Sequence, residues 1–150
     1  MPGKKTYIAN IFIPIILGTI IYFVFRPDTY ISIYLRQLFY IAGWNPFSII
    51  GLNYPAVIYL RNFGSDILWA YALVFAVHYF FDKTTRSLYL TAAICLGFDF
   101  LIELLQCVNI ISGTFDMMDV IVEAVATFVA VGILFKLCKE EKHDEEKLDS

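Results

Sequence analysis

The sequence predicts an all-α integral membrane protein, with four transmembrane helices and an external interfacial or re-entrant helix between the first and second. Three observations lead there. Of the 150 residues 59% are apolar, 17% are aromatic and only 17% are charged, with a mean hydropathy of +0.69. Soluble domains run about 45–50% apolar and about 25% charged, and so short a chain cannot bury the excess in its own core. The apolar residues also gather into runs of membrane-crossing length, and most charges fall between the runs. The composition excludes a disordered regulator, a basic nucleic-acid-binding domain and a disulfide-stapled module, which need low hydrophobicity, clustered Lys/Arg or many cysteines.

The first span is read from Thr6 to Phe25, uncharged throughout and about 30 Å long as a helix. It is long for a signal peptide, and Arg26-Pro27-Asp28 follows it without a small-x-small cleavage site, so the run is read as retained. Next comes Tyr30–Ala42 (YISIYLRQLFYIA), apolar but too short to cross, with Tyr30, Tyr34, Tyr40 and Trp44 suited to the headgroup level. Asn45-Pro46 and Asn53-Tyr54-Pro55 punctuate the path to the second span, Ser65–Phe81. The third span runs from Ser87 to Val108, interrupted by Asp99 and Glu103. The fourth covers Met117–Leu137, interrupted by Asp119, Glu123 and Lys136.

Residues 1–138 are therefore expected to form one membrane domain and residues 139–150 (KEEKHDEEKLDS) a charged, disordered cytoplasmic tail. That tail holds three Lys and six Asp/Glu and accounts for the whole formal charge of −3, so the remainder is neutral, with eight charges of each sign. Orientation follows from the basic residues. Lys4, Lys5, Lys83, Arg86, Lys136, Lys139, Lys142 and Lys147 fall on one side, and Arg26, Arg36 and Arg61 on the other. Both termini are expected in the cytoplasm, with residues 26–64 and the turn Asn109–Phe115 outside.

Polar residues within the spans are placed by helical periodicity. Asp99, Glu103 and Gln106 are spaced i, i+4, i+7 and project from one face of the third helix. With an outer boundary at Val108, Glu103 lies roughly 7 Å and Asp99 roughly 13 Å below it at 1.5 Å per residue. Asp116, Asp119 and Glu123 enter the fourth helix from the same boundary, and Arg61 and Asp66 sit at the external mouth of the second. Ionisable groups inside a membrane are costly unless paired or hydrated, which makes them candidates for function. A single carboxyl can join two helices by a hydrogen bond purely for packing, but six acids at matching depth exceed that need.

Six carboxylates cannot all stay ionised close together without positive charge: either some are protonated, or Arg61 and Arg36 reach in, or a cation binds. No cofactor is expected. Hard oxygen ligands would favour Mg²⁺ or Ca²⁺ over zinc if a metal binds, since no His or Cys shares the cluster at zinc-like spacing. The inner half offers only His78, read as a packed or interfacial histidine. Cys95, Cys107 and Cys138 are read as buried thiols without a disulfide partner.

Phe100–Val131 (FLIELLQCVNIISGTFDMMDVIVEAVATFVAV) and Arg61–Leu73 (RNFGSDILWAYAL) together resemble the VanZ-like family of small bacterial membrane proteins, over a core of about residues 58–135. The family shows an Asp opening one span, a Glu-x-x-Gln in the next, a short turn and a D-x-x-D-x-x-x-N-x-x-G pattern. Asp66, Glu103, Gln106, Asp116 and Asp119 match these positions. The chain departs from the pattern at Glu123, where the family has Asn, at Ala126, where it has Gly, and at Ser112-Gly113-Thr114, which lacks the Arg often found before the first Asp. The resemblance implies a bacterial plasma membrane location. Through the family's association with teicoplanin resistance, it also implies action at the outer face on cell-wall precursors or lipoglycopeptides.

The expected function is binding or modulation of an envelope lipid, cell-wall precursor or glycopeptide antibiotic at an outward carboxylate-rich site of Arg61, Asp66, Asp99, Glu103, Gln106, Asp116, Asp119 and Glu123. Membrane lipids are its expected surroundings, and nucleic acid is not an expected partner. The alternative is an enzyme on a lipid-linked substrate, with Asp99 or Glu103 as general acid/base and Asp116 and Asp119 positioning substrate or a divalent ion. In that reading Asp99, Glu103 and Asp119 are the catalytic candidates. A third reading, an ion or proton transporter, is disfavoured because only His78 continues the polar line through the inner half.

Overall fold

The computed structural model describes residues 3–25, 33–34, 37–38, 40, 54–81, 84–111 and 115–148. Four long helices follow in order: α1 (Lys4–Phe25), α2 (Pro55–Tyr79), α3 (Thr85–Cys107) and α4 (Met117–Leu148). Of the interfacial helix expected over Tyr30–Ala42, only Ile33, Tyr34, Gln37, Leu38 and Tyr40 are described, all helical and exposed. The rest of that segment, Arg36 included, lies outside the described residues.

Each helix boundary has a local cause. Pro55 occupies the first turn of α2, where its missing N–H is not needed. Helix α2 thus begins ten residues before the apolar run that marks it in sequence, because a partly exposed Arg61 is tolerated on a helix surface. At α3 a capping box forms: Thr84 Oγ1 accepts from the Ser87 amide and Ser87 Oγ from the Thr84 amide, both at 3.2 Å. The same helix ends in a Schellman turn, with Asn109 left-handed at φ 57°, its amide on the Gln106 carbonyl at 2.9 Å, and the Ile110 amide on the Leu105 carbonyl at 2.9 Å. Helix α4 opens at Asp116, whose Oδ1 accepts from the Met118 amide at 2.8 Å. It then continues to Leu148, through residues expected to be disordered. Glu and Lys are strong helix formers, and extending a formed helix avoids the cost of nucleation.

The helices alternate in direction, and α2 packs against each of the other three. Tyr7 near the start of α1 meets Phe75, His78 and Tyr79 near the end of α2, while Gly18 of α1 lies against Leu68 and Trp69. A Cβ on Gly18 would fall 2.8 Å from Trp69 Nε1 and 3.3 Å from Leu68 Cβ, so a larger residue requires the indole to move and the backbones to part slightly. Pro14 within α1 removes the N–H that would reach the Asn10 carbonyl. The Asn10 side chain donates to the Thr6 carbonyl at 2.9 Å and accepts from Tyr71 Oη at 2.6 Å, tying α1 to α2.

The core is small: Tyr7, Val74, Phe75, Leu88, Cys95, Ala130 and Leu134, at the end of the bundle where α1 begins. Large apolar side chains instead cover the outside, among them Ile13, Ile16, Phe98, Leu101 and Phe128. Contiguous exposed apolar surface of this kind suits hydrocarbon rather than water. Among the described residues three helices are long and apolar enough to cross a membrane: Lys4–Phe25, Arg86–Cys107 and Met117–Lys139. The chain is a membrane protein on this ground. Helix α2, at 25 residues, has the length but carries Arg61, Asn62, Ser65, Asp66 and His78, and it is not among the three.

Candidate functional site

Three helices converge at the end of the bundle where α3 ends and α4 begins. Glu123 on α4 feels the charge of Asp66 from α2, of Asp99 and Glu103 from α3, and of Asp119 from its own helix. Side chains from distant parts of the chain thus come within electrostatic range of one another. Asp99 and Glu103 are buried, at 8% and 4% exposure. Asp66 and Glu123 are half-buried, and Asp116 is exposed.

These acids are not equivalent. Glu103 Oε2 accepts the backbone N–H of Asp116 at 3.2 Å, and Asp116 in turn caps α4. An anion at a helix N-terminus meets the positive end of the helix dipole and an otherwise unsatisfied amide. Glu103 thus ties α3 to the start of α4, and Asp116 caps the first turn of α4. Asp66 Oδ1 accepts from Ser65 Oγ at 3.1 Å. Asp99 Oδ2 and Glu123 Oε2 are buried and meet no hydrogen-bond donor among the described residues.

Arg61 Nε donates to Oδ1 of its neighbour Asn62 at 3.5 Å, rather than to a carboxylate of the cluster. Gln106 lies half-buried at the end of α3, with its carbonyl in the Schellman turn. Among the described residues no three His, Cys, Asp or Glu side chains stand in an arrangement that could hold a metal ion. The carboxylates sit close enough to repel one another, yet not in a coordinating set. Compared with protein-family models, curated proteins and solved structures, the chain matches none of them. The site must be read from its own geometry.

That geometry includes groups that the sequence alone does not mark. On α3, Ser87, Thr91, Cys95, Asp99 and Glu103 are all buried and recur every fourth residue. On α4, Asp119, Glu123 and the fully buried Thr127 repeat the same spacing, and Thr127 Oγ1 is a further buried oxygen with no partner among the described residues. His78 is packed as expected, and it is also engaged: Nδ1 shares a 3.2 Å hydrogen bond with Thr91 Oγ1, and Tyr7 stacks on its ring at 6.3 Å between centroids. The i+4 recurrence is visible in the chain. Serine, threonine and cysteine are small enough to pass for ordinary helix packing, and so do not stand out beside the acids.

Proposed function

We propose that the protein is a VanZ-like, multi-pass protein of the bacterial plasma membrane whose carboxylate cluster binds the polar headgroup of an envelope lipid, a cell-wall precursor or a glycopeptide antibiotic. The observation that carries this reading is that four further carboxylates from three helices lie within electrostatic range of Glu123, with buried oxygens of Asp99 and Glu123 lacking donors among the described residues. Negative charges gathered in a low-dielectric setting call for protons or an external cation. An amino-bearing or polyhydroxylated headgroup supplies positive charge and hydrogen-bond donors together.

In this reading α2 is a fourth span. Its polar residues are tolerated because α1, α3 and α4 all pack on it and shield it from lipid. Both termini face the cytoplasm and the carboxylate end faces outward, in keeping with the Lys-rich connections on the opposite side. Asp99, Asp119 and Glu123 contact the ligand, while Glu103 and Asp116 hold the turn that positions them.

The test is a titration of the purified protein in nanodiscs with teicoplanin and, separately, with a lipid-linked peptidoglycan precursor. The wild type is expected to bind at least one of them, and the double variant Asp119→Asn with Glu123→Gln to bind it at least tenfold more weakly. Absence of binding to both by the wild type, or equal binding by the double variant, overturns the reading.

A further inference from the structure

The carboxylate cluster and the His78 cluster lie towards opposite ends of the bundle, and one buried polar stripe joins them. Ser87, Thr91, Cys95, Asp99 and Glu103 each sit one helical turn apart on α3, none more than 8% exposed. Four steps of about 6 Å carry the stripe through some 24 Å, most of a hydrocarbon core of about 30 Å. Helix packing alone would fill such a seam with Ala, Leu or Val, as it does at Ala130 and Leu134 on α4. A hydroxyl, a thiol and a carboxyl in succession on the shielded face are the costlier choice.

Side chains from the other helices extend the stripe at both ends. Towards the start of α3, His78 of α2 bonds to Thr91 and Tyr7 of α1 stacks on His78. Tyr7 in turn lies within electrostatic range of Cys138 on α4. Ser87 Oγ donates to the carbonyl of Thr84, an exposed residue, at 2.7 Å. Towards the end of α3, Asp99 lies within electrostatic range of Cys95 and Glu123, and Glu123 in turn of Asp66 and Asp119. Asp99 Oδ2 and Thr127 Oγ1, both on residues more than nine-tenths buried, have no hydrogen-bond partner among the described residues. Exposed Asp116 closes that end.

We propose that this stripe is a proton path, and that the protein moves protons between the two faces of the membrane by way of Asp99, Thr91 and His78. A proton arriving from water past Asp116 forms an O–H bond on Glu123 or Asp99. It leaves that oxygen along the Cys95 and Thr91 line, bridged by water between polar groups one turn apart. The His78 imidazole accepts a proton on one ring nitrogen and gives one up from the other, and the released proton departs past Ser87 and Thr84. The carboxylate ends in the state in which it began; the imidazole is left as its other tautomer and is reset when its N–H proton returns to the first nitrogen by way of water or a ring flip, and no electron moves.

The experiment is proton flux into liposomes holding the purified full chain and a trapped pH-sensitive dye, driven by a potassium gradient with valinomycin. The wild type is expected to shift the internal pH at least tenfold faster than protein-free liposomes. Asp99→Asn and His78→Phe are expected to lose that excess, and Tyr89→Phe, on the exposed face of α3, to retain it. Should Asp99→Asn or His78→Phe fail to fold, Thr91→Val against Thr91→Ser decides, with the valine variant expected to be the slower. A wild type no faster than empty liposomes, or Thr91→Val conducting as fast as Thr91→Ser, overturns the proposal. Headgroup binding without flux would sink the path and leave the binding reading standing, while flux without binding would do the reverse.

Discussion

Glu103 is the residue at which two functions of a carboxylate compete. Its burial and its place among four other acids mark it for ligand chemistry, yet Oε2 is already held by the Asp116 amide at the mouth of α4. The physical weight of that bond follows from helix-end energetics: a lost cap costs about 1 kcal/mol, and a lost anion at the dipole up to about 2 kcal/mol in a partly buried setting. Asp116→Ala is therefore expected to lower stability in detergent by about 1 kcal/mol and Glu103→Ala by about 1–2 kcal/mol. The two effects should not add, because both act on the same helix end. Chemical or thermal unfolding of the single and double variants measures this, and a neutral Asp116→Ala would show that the cap carries no weight. Asp99 Oδ2 and Glu123 Oε2 meet no donor among the described residues, which is why the binding proposal rests on them.

Among the elements, α2 carries the organisation. Among the described helices it is the one without a stretch long and apolar enough to cross a membrane, and it packs against each of the other three, and these properties belong together: a helix screened from lipid holds Ser65, Asp66 and His78 at lower cost than a peripheral one. Its contact with α1 is close at Gly18, where a new Cβ would meet Trp69 Nε1 at 2.8 Å and Leu68 Cβ at 3.3 Å. The tryptophan can swing aside, but Leu68 Cβ is fixed to the backbone. Gly18→Val is thus expected to part the helices at a cost of about 1–3 kcal/mol. Gly132 on α4 has nothing within 4 Å of a new Cβ, so Gly132→Ala is expected to be neutral or stabilising by up to about 1 kcal/mol. Unfolding curves of the two variants test the contrast, and equal effects would show that Gly18 does not set the spacing.

At the scale of the whole molecule, the arrangement is inside out relative to a water-soluble bundle. Phe, Ile and Leu face outward, and a column of hydroxyls, thiol, imidazole and carboxyls runs within. The proposed orientation makes a sharp expectation for two cysteines near opposite ends. Cys107 is exposed at the end of α3 and Cys138 half-buried late in α4. In intact cells an impermeant maleimide should label Cys107, and Cys138 only after the membrane is opened; Cys95, buried in the core, should stay unlabelled until unfolding. Labelling of Cys138 in intact cells would reverse the orientation.

The sequence by itself determined the solvent and the elements. Apolar runs of bilayer length place α1, α3 and α4, and helical periodicity puts Asp99 with Glu103 and Asp119 near Glu123, because both signals are local and each residue carries its own part of them. Tertiary structure alone decided three things. It placed α2 at the centre, against three helices, one of which approaches it through a glycine meeting a tryptophan fifty-one residues away. It committed Glu103 to an amide rather than to a ligand, since a hydrogen bond needs a partner whose position the folded turn supplies. It also joined His78 to Thr91 and so extended a polar line that is broken in the sequence. Small polar residues on a helix carry no sign of what they face until a neighbouring helix is packed against them.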